Sequence, residues 1–298
     1  MKYKYYPVVI FSYNRPNKTN DLINSIKKNK NFEKFTYFFF CDGPKKNYIS
    51  DVRKIKDNIE IIQKFKIRKK IIKRKTNFGL AKNIINGVSS ILKKHEAIIV
   101  LEDDLEIDIN CLEFINILLN KFKNDKFIGS ISGYSYAHNF KKLKNLKWYK
   151  THRHCSWSWG TWKHVWQKVK WKNPTSQSLK KFKSSSYKVG DDILSLLLAQ
   201  KLNLINSWAV RFNYHCIKNN LYSINPRFSL SKNNGYGINA THTLNIFKKE
   251  HINFINSNIN FRDFGKLKFH SELNNYIYKK HKSSMKLKAK ILLKKMIN

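Results

Sequence analysis

Residues Ile98 to Leu105 read I-I-V-L-E-D-D-L: four apolar residues, then three consecutive carboxylates. An apolar run of this length predicts a buried strand. The acids that follow stand out because the chain carries only 19 acidic residues against 59 basic ones. Five of them, Glu102, Asp103, Asp104, Glu106 and Asp108, fall between positions 102 and 108. A buried strand ending in a carboxylate cluster can hold a hard divalent cation at a sheet edge. A helix start explains part of the cluster, since Asp108 can N-cap a helix over Ile109 to Lys121 and acids suit a helix N-terminus. That leaves Glu102 to Asp104 unexplained.

Outward from this stretch, short apolar runs alternate with longer amphipathic ones. Strands are expected at Tyr6 to Tyr13, Phe35 to Cys41, Lys70 to Arg74 and Ala97 to Leu101, and helices at Thr19 to Lys28, Tyr48 to Phe65 and Leu80 to Lys93. This βαβα order predicts an α/β fold with a mostly parallel central sheet covered by helices. Ligands of such sheets bind beyond the carboxyl ends of the strands. Ser12 to Arg15, Asp42 with Gly43, and the acid triplet all follow strands in that sense.

Near Lys141 the alternation stops, and six of the seven tryptophans lie between Trp148 and Trp171. A second functional region is expected there. Farther on, Asp191 to Leu204 reads as a helix, Ser207 to Phe212 as a strand, and Asn233 to Thr243 as a loop containing Gly235 and Gly237. From His281 the chain is basic, with apolar residues near helical spacing. Such a helix can lie on an anionic bilayer, or it can be a solvated or frayed terminus. The expected division is one region over 1–250, changing character at about 140, and a basic extension over 251–298.

A hydrophobic content of 42% and an aromatic content of 14% indicate a globular protein rather than a disordered one. The formal net charge of +40 favours polyanionic partners, although abundant Lys, Asn, Ile, Phe and Tyr also fit an AT-rich coding bias. Cys41, Cys111, Cys155 and Cys216 are widely spaced, with no C-x-x-C pair. That pattern supports neither a zinc site nor a disulfide framework, and it suits a reducing cytoplasm. Neither a cleavable signal nor a membrane span is evident.

Several segments, in order, resemble GT-A-fold, nucleotide-sugar-dependent glycosyltransferases, in particular bacterial sugar transferases related to N-acetylglucosaminyltransferase I. They are P-V-V-I-F-S-Y-N-R-P (7–16), C-D-G-P (41–44), N-F-G-L-A-K-N-I-I (77–85), I-V-L-E-D-D-L-E (99–106) and S-W-S-W-G-T-W-K-H-V-W (156–166). N-S-W-A-V-R-F (206–212) and the 233–243 loop continue the series. The resemblance implies a GT-A catalytic domain over 1–250, with a nucleotide-sugar-binding half at about 1–140 and an acceptor-binding half at about 141–250, and it implies that the triplet is a form of the D-x-D motif. Asp104 then binds Mn²⁺ or Mg²⁺ bridging the donor diphosphate, while Glu102 and Asp103 contact ribose, sugar or metal-bound water. It further implies that Arg15 touches the nucleotide, that Asp42 bonds the uracil edge, and that Asn77 and Lys82 lie near the donor. An Asp-Gly turn and ordinary solvated basic residues are the plainer readings of Asp42, Arg15 and Lys82.

The relatives place their catalytic Asp in the region of Asp191-Asp192, with Asp192 the first choice for the base and one of the pair able to cap the following helix. Trp157 and Trp159 suit an acceptor sugar, whose C–H faces pack on aromatic rings. Trp162 and Trp166 read instead as one buried helix face. The 233–243 loop reads as a donor lid in which His242 can touch diphosphate or metal, or simply be solvated. His152 and His154 lack a carboxylate or thiolate partner and read as loop residues. Together these imply a metal-dependent, inverting transferase at the inner face of the cytoplasmic membrane, with a nucleotide-sugar donor and a glycan or glycolipid acceptor. Two rivals are a nucleic-acid-binding protein, for which no recognised motif is present, and a catalytically silent scaffold.

Overall fold

The structure is a computed structural model that describes residues 3–46, 48–142, 146–183, 189–235, 252, 254 and 267–297. The strands are β1 (Val8–Ser12), β2 (Tyr37–Cys41), β3 (Lys69–Lys73), β4 (Ala97–Glu102), β5 (Leu105–Ile107), β6 (Ile128–Ser132), β7 (Trp148–Thr151), β8 (Trp159–Trp162), β9 (Tyr222–Pro226) and β10 (Ser231–Asn233). Helices α1 (Pro16–Lys27), α2 (Ile49–Lys64), α3 (Leu80–Leu92) and α4 (Cys111–Lys121) cover the first half. The second half carries α5 (Lys163–Trp166), α6 (Ser176–Lys183), α7 (Asp192–Lys201), α8 (Trp208–Lys218), α9 (Ser271–Lys280) and α10 (Met285–Ile297).

Eight strands form one sheet in the order β3-β2-β1-β4-β8-β6-β9-β7, while β5 and β10 make a separate ribbon. The β3-β2-β1-β4 block is parallel throughout, β6 pairs β9 in parallel, and β8 and β7 enter antiparallel. This is the α/β class with a mostly parallel central sheet that the alternation predicts. The strands look as their positions require. All five residues of β1 are buried, as in a strand covered on both faces. At the sheet margin β3 reads K-K-I-I-K, and its lysines discourage pairing with another chain.

Helix starts and spacings explain the cover. Pro16 opens α1, where its missing N–H has no consequence, and Leu22, Ile23 and Ile26 turn inward. In α3, Gly87 lies so close to Phe11 that a Cβ would meet the ring at 2.6 Å. The antiparallel strand β8 sits between β4 and β6, so the sheet runs through both halves of the chain. Gly160 lets it lie under α4, since a Cβ there would meet Ile115 at 2.8 Å and the Ile98 carbonyl at 3.0 Å.

Several expectations need correction. Ser207 to Phe212 is not a strand. Ser207 caps α8, its side chain accepting from the Val210 N–H at 3.4 Å, and Trp208, Phe212 and Cys216 face inward at four-residue spacing. The short W-A-V-R-F run satisfies a period of two, but the longer segment satisfies 3.6, and the cap decides. Asp108 does not cap α4: Asn110 stands at that position, and buried Asp108 accepts from its N–H at 2.9 Å and from its Nδ2 at 2.8 Å. Trp162 and Trp166 are both buried but share no helix face, because Trp162 ends β8 and Trp166 ends α5. His152 and His154 do lie outside regular elements, yet both are buried. His154 contacts Ser130 Oγ at 2.9 Å, and burial pushes its pKa down to about 3.

Trp148, Trp159, Trp162, Trp166 and Trp208 belong to one buried core with β1, β2 and β4. Trp159 is fully buried, 4.8 Å from Trp208 and 5.7 Å from Trp166 between ring centres, with Phe212 and His154 beside it. It is therefore not available to an acceptor sugar as expected. The C-terminal segment is folded onto the body: Leu273 and Ile277 of α9 join a buried group with Tyr134, Tyr136 and Tyr149, and α10 packs on α7. Trp159→Ala should cost about 3–5 kcal/mol of stability. Urea unfolding measures this, and an unchanged midpoint would contradict the packing described.

Candidate active site

The parallel register brings three strand ends to one place. Ser12 of β1 is level with Cys41 of β2, and Phe11 is level with Glu102 of β4. The chain runs from β1 to β2 and β3 on one side, then returns to β4 on the other. Such a switch point opens a crevice beyond the strand ends. The loops after β1, β2 and β4 border it.

Glu102 ends β4, and Asp103 and Asp104 turn across the end of β1. The Asp103 N–H donates to the Phe11 carbonyl at 3.0 Å, and the Tyr13 N–H donates to Asp103 Oδ2 at 3.2 Å. Arg15 spans the pair, donating from Nη2 to Asp103 Oδ1 and from Nη1 to Asp104 Oδ2 at 3.1 Å. Burial and the two neighbouring carboxylates push Glu102 well above the usual range. Burial also raises Asp103, against the pull of Arg15. One guanidinium thus faces three carboxyl groups.

The ribbon of β5 and β10 closes this corner, β10 coming from more than 100 positions along the chain. The Asn234 N–H donates to the Asp104 carbonyl at 2.8 Å, Asn234 Nδ2 donates to Glu106 at 3.0 Å, and Lys232 pairs with Glu106 at 3.0 Å. Gly235 passes so close that a Cβ would collide with Asp104 Oδ2. Nothing in the local sequence of either segment signals this pairing. His242 and the rest of the 233–243 loop beyond Gly235 lie outside the described residues.

Asp42 is placed at the crevice but faces its own loop. Oδ1 accepts from the N–H groups of Gly43 at 3.0 Å and Phe78 at 2.8 Å, and Oδ2 accepts from Gly79 at 3.0 Å. Three backbone donors occupy the carboxylate expected to read uracil, so its structural part is to clamp the loop before α3. Burial raises its pKa, with the same three N–H groups opposing. Gly43 is required by close approach, since a Cβ would lie 2.5–2.7 Å from Thr76 backbone atoms. Asn77 Nδ2 donates to the Gly43 carbonyl at 2.9 Å. Lys82 is exposed, its ammonium 4.7 Å from the Phe78 ring centre.

Sequence reasoning missed Asp51, which is buried in the first turn of α2. It accepts from the Tyr13 hydroxyl and from Asn14 Nδ2 at 2.6 Å, so the loop after β1 is held at both ends, by Asp51 and by Asp103. An acid near a helix start carries no sign that its partner lies 38 positions away.

Asp191 and Asp192 lie apart in sequence from this corner, at the start of α7. Arg153 grips Asp192 with two bonds, 2.9 Å to Oδ1 and 2.7 Å to Oδ2. Asp191 stands at the cap position but does not cap. Its Oδ1 accepts from the Ser283 N–H at 2.6 Å, and its Oδ2 is 3.7 Å from Lys288. Trp157 is half-buried, its ring 4.7 Å from Tyr134.

Among the described residues, no three His, Cys, Asp or Glu side chains converge as a metal shell. The corner nevertheless suits a cation that a substrate also ligates. Asp104 Oδ1 is buried without a hydrogen-bond partner, and the carboxylates outnumber the positive charge beside them. Mg²⁺ in particular is often held by one or two carboxylates together with substrate phosphates. Asp42→Asn should cost about 1–3 kcal/mol, because an amide cannot accept all three backbone N–H groups. Chemical denaturation measures that loss.

A search of curated proteins found no match. Among solved structures, residues 1–349 of TarS from S. aureus align with a TM-score of 0.45 and 13% identity, covering 76% of this chain and 60% of that one. Glucosyl-3-phosphoglycerate synthase from Mycobacterium tuberculosis, in complex with Mn²⁺, uridine diphosphate and glucosyl-3-phosphoglycerate, aligns with a TM-score of 0.32 and 9% identity, covering 53% and 57%. The galactosyltransferase LgtC, with donor and acceptor sugar analogues, aligns with a TM-score of 0.34 and 10% identity, covering 70% and 69%. This chain thus spans less than two thirds of the length of the TarS fragment. The family model described as glycosyl transferase family 2 matches residues 8–178, more than half of the sequence and including Arg15 and the acid triplet, and the chain belongs to that family.

Proposed function

We propose that the chain is a metal-dependent, inverting glycosyltransferase that moves a hexosyl or N-acetylhexosaminyl group from a UDP-sugar to a bacterial surface glycan, such as lipooligosaccharide or capsule. The observation that carries this reading is the buried, unpartnered Asp104 Oδ1 in a carboxylate pair at the switch point of the sheet. Asp104 and Asp103 are the side chains that would hold Mn²⁺ or Mg²⁺ there, with Glu102 beside them. The ion supplies neutralisation of the negative charge that grows on the leaving diphosphate. Arg15 already touches both carboxylates and is placed to share a phosphate charge with them. The loop clamped by Asp42, Asn77 and Gly43 supports the nucleotide side.

An inverting transfer needs a base for the acceptor hydroxyl. Asp191 suits this better than Asp192, the first choice from sequence. Its side chain is 45% exposed and shares its charge with one half-exposed lysine at 3.7 Å, whereas both oxygens of Asp192 are held by Arg153. Trp157 is the remaining tryptophan candidate for stacking on an acceptor sugar. The basic chain works at the inner face of the cytoplasmic membrane, next to an anionic, lipid-linked acceptor.

Asp104→Asn should lower transfer ~10²-fold or more while leaving the unfolding midpoint near its original value. A thermal-shift screen of nucleotide sugars with Mn²⁺ identifies the donor, and the stabilisation should vanish in that variant and on chelation. Normal transfer by Asp104→Asn would remove the metal assignment.

Asp191→Asn keeps an acceptor for Ser283 and should reduce kcat by ~10²–10⁴-fold. Asp192→Asn breaks a buried ion pair and should instead cost about 3–5 kcal/mol of stability. Single-turnover kinetics and urea titration separate the two effects. Unchanged kcat in Asp191→Asn places the base elsewhere.

A further inference from the structure

Helix α10 turns one face to the protein and leaves a different apolar face in solvent. Ile291 is buried and Leu287 half-buried, on the side where α10 packs on α7. The Ser283 N–H and the Lys288 ammonium fasten the same segment to Asp191. Away from that contact, Met285 is 81% exposed, Leu292 62%, Leu293 59% and Met296 77%, and Ala289 is exposed among them. At about 100° per residue, positions 285, 289, 292, 293 and 296 fall in one sector of roughly 100°. Lys286 and Lys290 border it on one side, and Lys288 and Lys295 on the other. The helix carries five lysines and no acid.

We infer that this stripe is the surface by which the protein docks on an anionic lipid bilayer, α10 lying in the interface plane with its four apolar side chains among the acyl chains. The inference deepens the membrane placement proposed above and rests on it, but needs neither the metal nor the sugar chemistry. Lysines on both margins of an apolar stripe suit such a position, because their stems follow the apolar surface while the ammonium groups reach the phosphates. No described helix is long and apolar enough to cross a membrane, so contact through this helix is with the surface. A second copy fits poorly. It would bring two lysine-bordered stripes together in a chain whose formal net charge is already +40.

The docking site also has a fixed relation to the rest of the molecule. Because α10 is held through Asp191 and α7, a bilayer under it lies beside the part of the chain that carries Arg153, Asp192 and Asp191. A lipid-linked acceptor would then be presented near that region.

The test is flotation of the full chain with phosphatidylcholine vesicles, with and without phosphatidylglycerol, in the absence of nucleotide sugar and metal. The expected result is binding to the anionic vesicles alone. Leu292→Ser, Leu293→Ser and Met296→Ser combined keep the charge and alter only exposed side chains. They should weaken vesicle binding at least ~tenfold while leaving the circular dichroism spectrum unchanged. Lys286→Gln, Lys290→Gln and Lys295→Gln should weaken it as well. Failure of the original chain to float with anionic vesicles overturns the proposal, as does undiminished binding by the serine variant. A dimer seen by sedimentation velocity and abolished by the same serine changes would assign the stripe to a second copy instead.

Discussion

Three adjacent carboxyl groups at the end of a buried strand repel one another and lose hydration, and the surrounding structure is arranged to tolerate them. Arg15 spans two of them, the Tyr13 N–H of the β1 loop donates to Asp103, and Asn234, more than 100 positions on, donates its N–H to the Asp104 carbonyl. These contacts compensate the cluster only in part. Asp104 Oδ1 has no partner, and Glu102 has no cation of its own beyond the influence of Arg15. Natural proteins rarely keep such an imbalance in a buried place without a use for it. A ligand bearing positive charge would relieve it, and carboxylate oxygens beyond a strand end are donors that suit a hard cation.

The second half of the chain solves a different problem. Its tryptophans, which suggest carbohydrate contacts when read one by one, mostly stack on each other and on Phe212 to fill the space under β8. Around that core, a buried guanidinium and two neighbouring acids join the start of α7 to the C-terminal helices. Arg153 fixes Asp192, and Asp191 receives Ser283 and Lys288. A buried pair of this kind is poor evidence for stability but good evidence for placement, because breaking it leaves a charge uncompensated. The basic terminus is thereby an organised part of the molecule, with one face packed and the other exposed.

How much was readable depended on the distance over which each signal acts. Val8 to Phe11 and Ala97 to Leu101 declare themselves as buried strands because every residue in them is apolar, a property local to the run. The acid triplet is equally plain, because the chain has so few acids. Trp208 to Phe212 misleads for the opposite reason: five residues cannot distinguish a period of two from 3.6, and the rest of α8 settles it. Asp42 reads as a ligand-binding acid until Phe78 and Gly79 are seen to donate to it. Asp51 attracts no notice until Tyr13 and Asn14 reach it.

The sequence alone determined the α/β class, the parallel block of four strands and the clustering of acids after the fourth, since each follows from composition and periodicity within a few residues. Tertiary structure alone decided that Arg15 bridges Asp103 and Asp104, that Gly235 lies against Asp104, that Trp159 is core, and that Arg153 holds Asp192. The contacts of Arg15, Gly235 and Arg153, and that of Trp159 with Trp208, join residues between 39 and more than 100 positions apart, where no spacing rule operates and only the packing of helices and strands brings the side chains together.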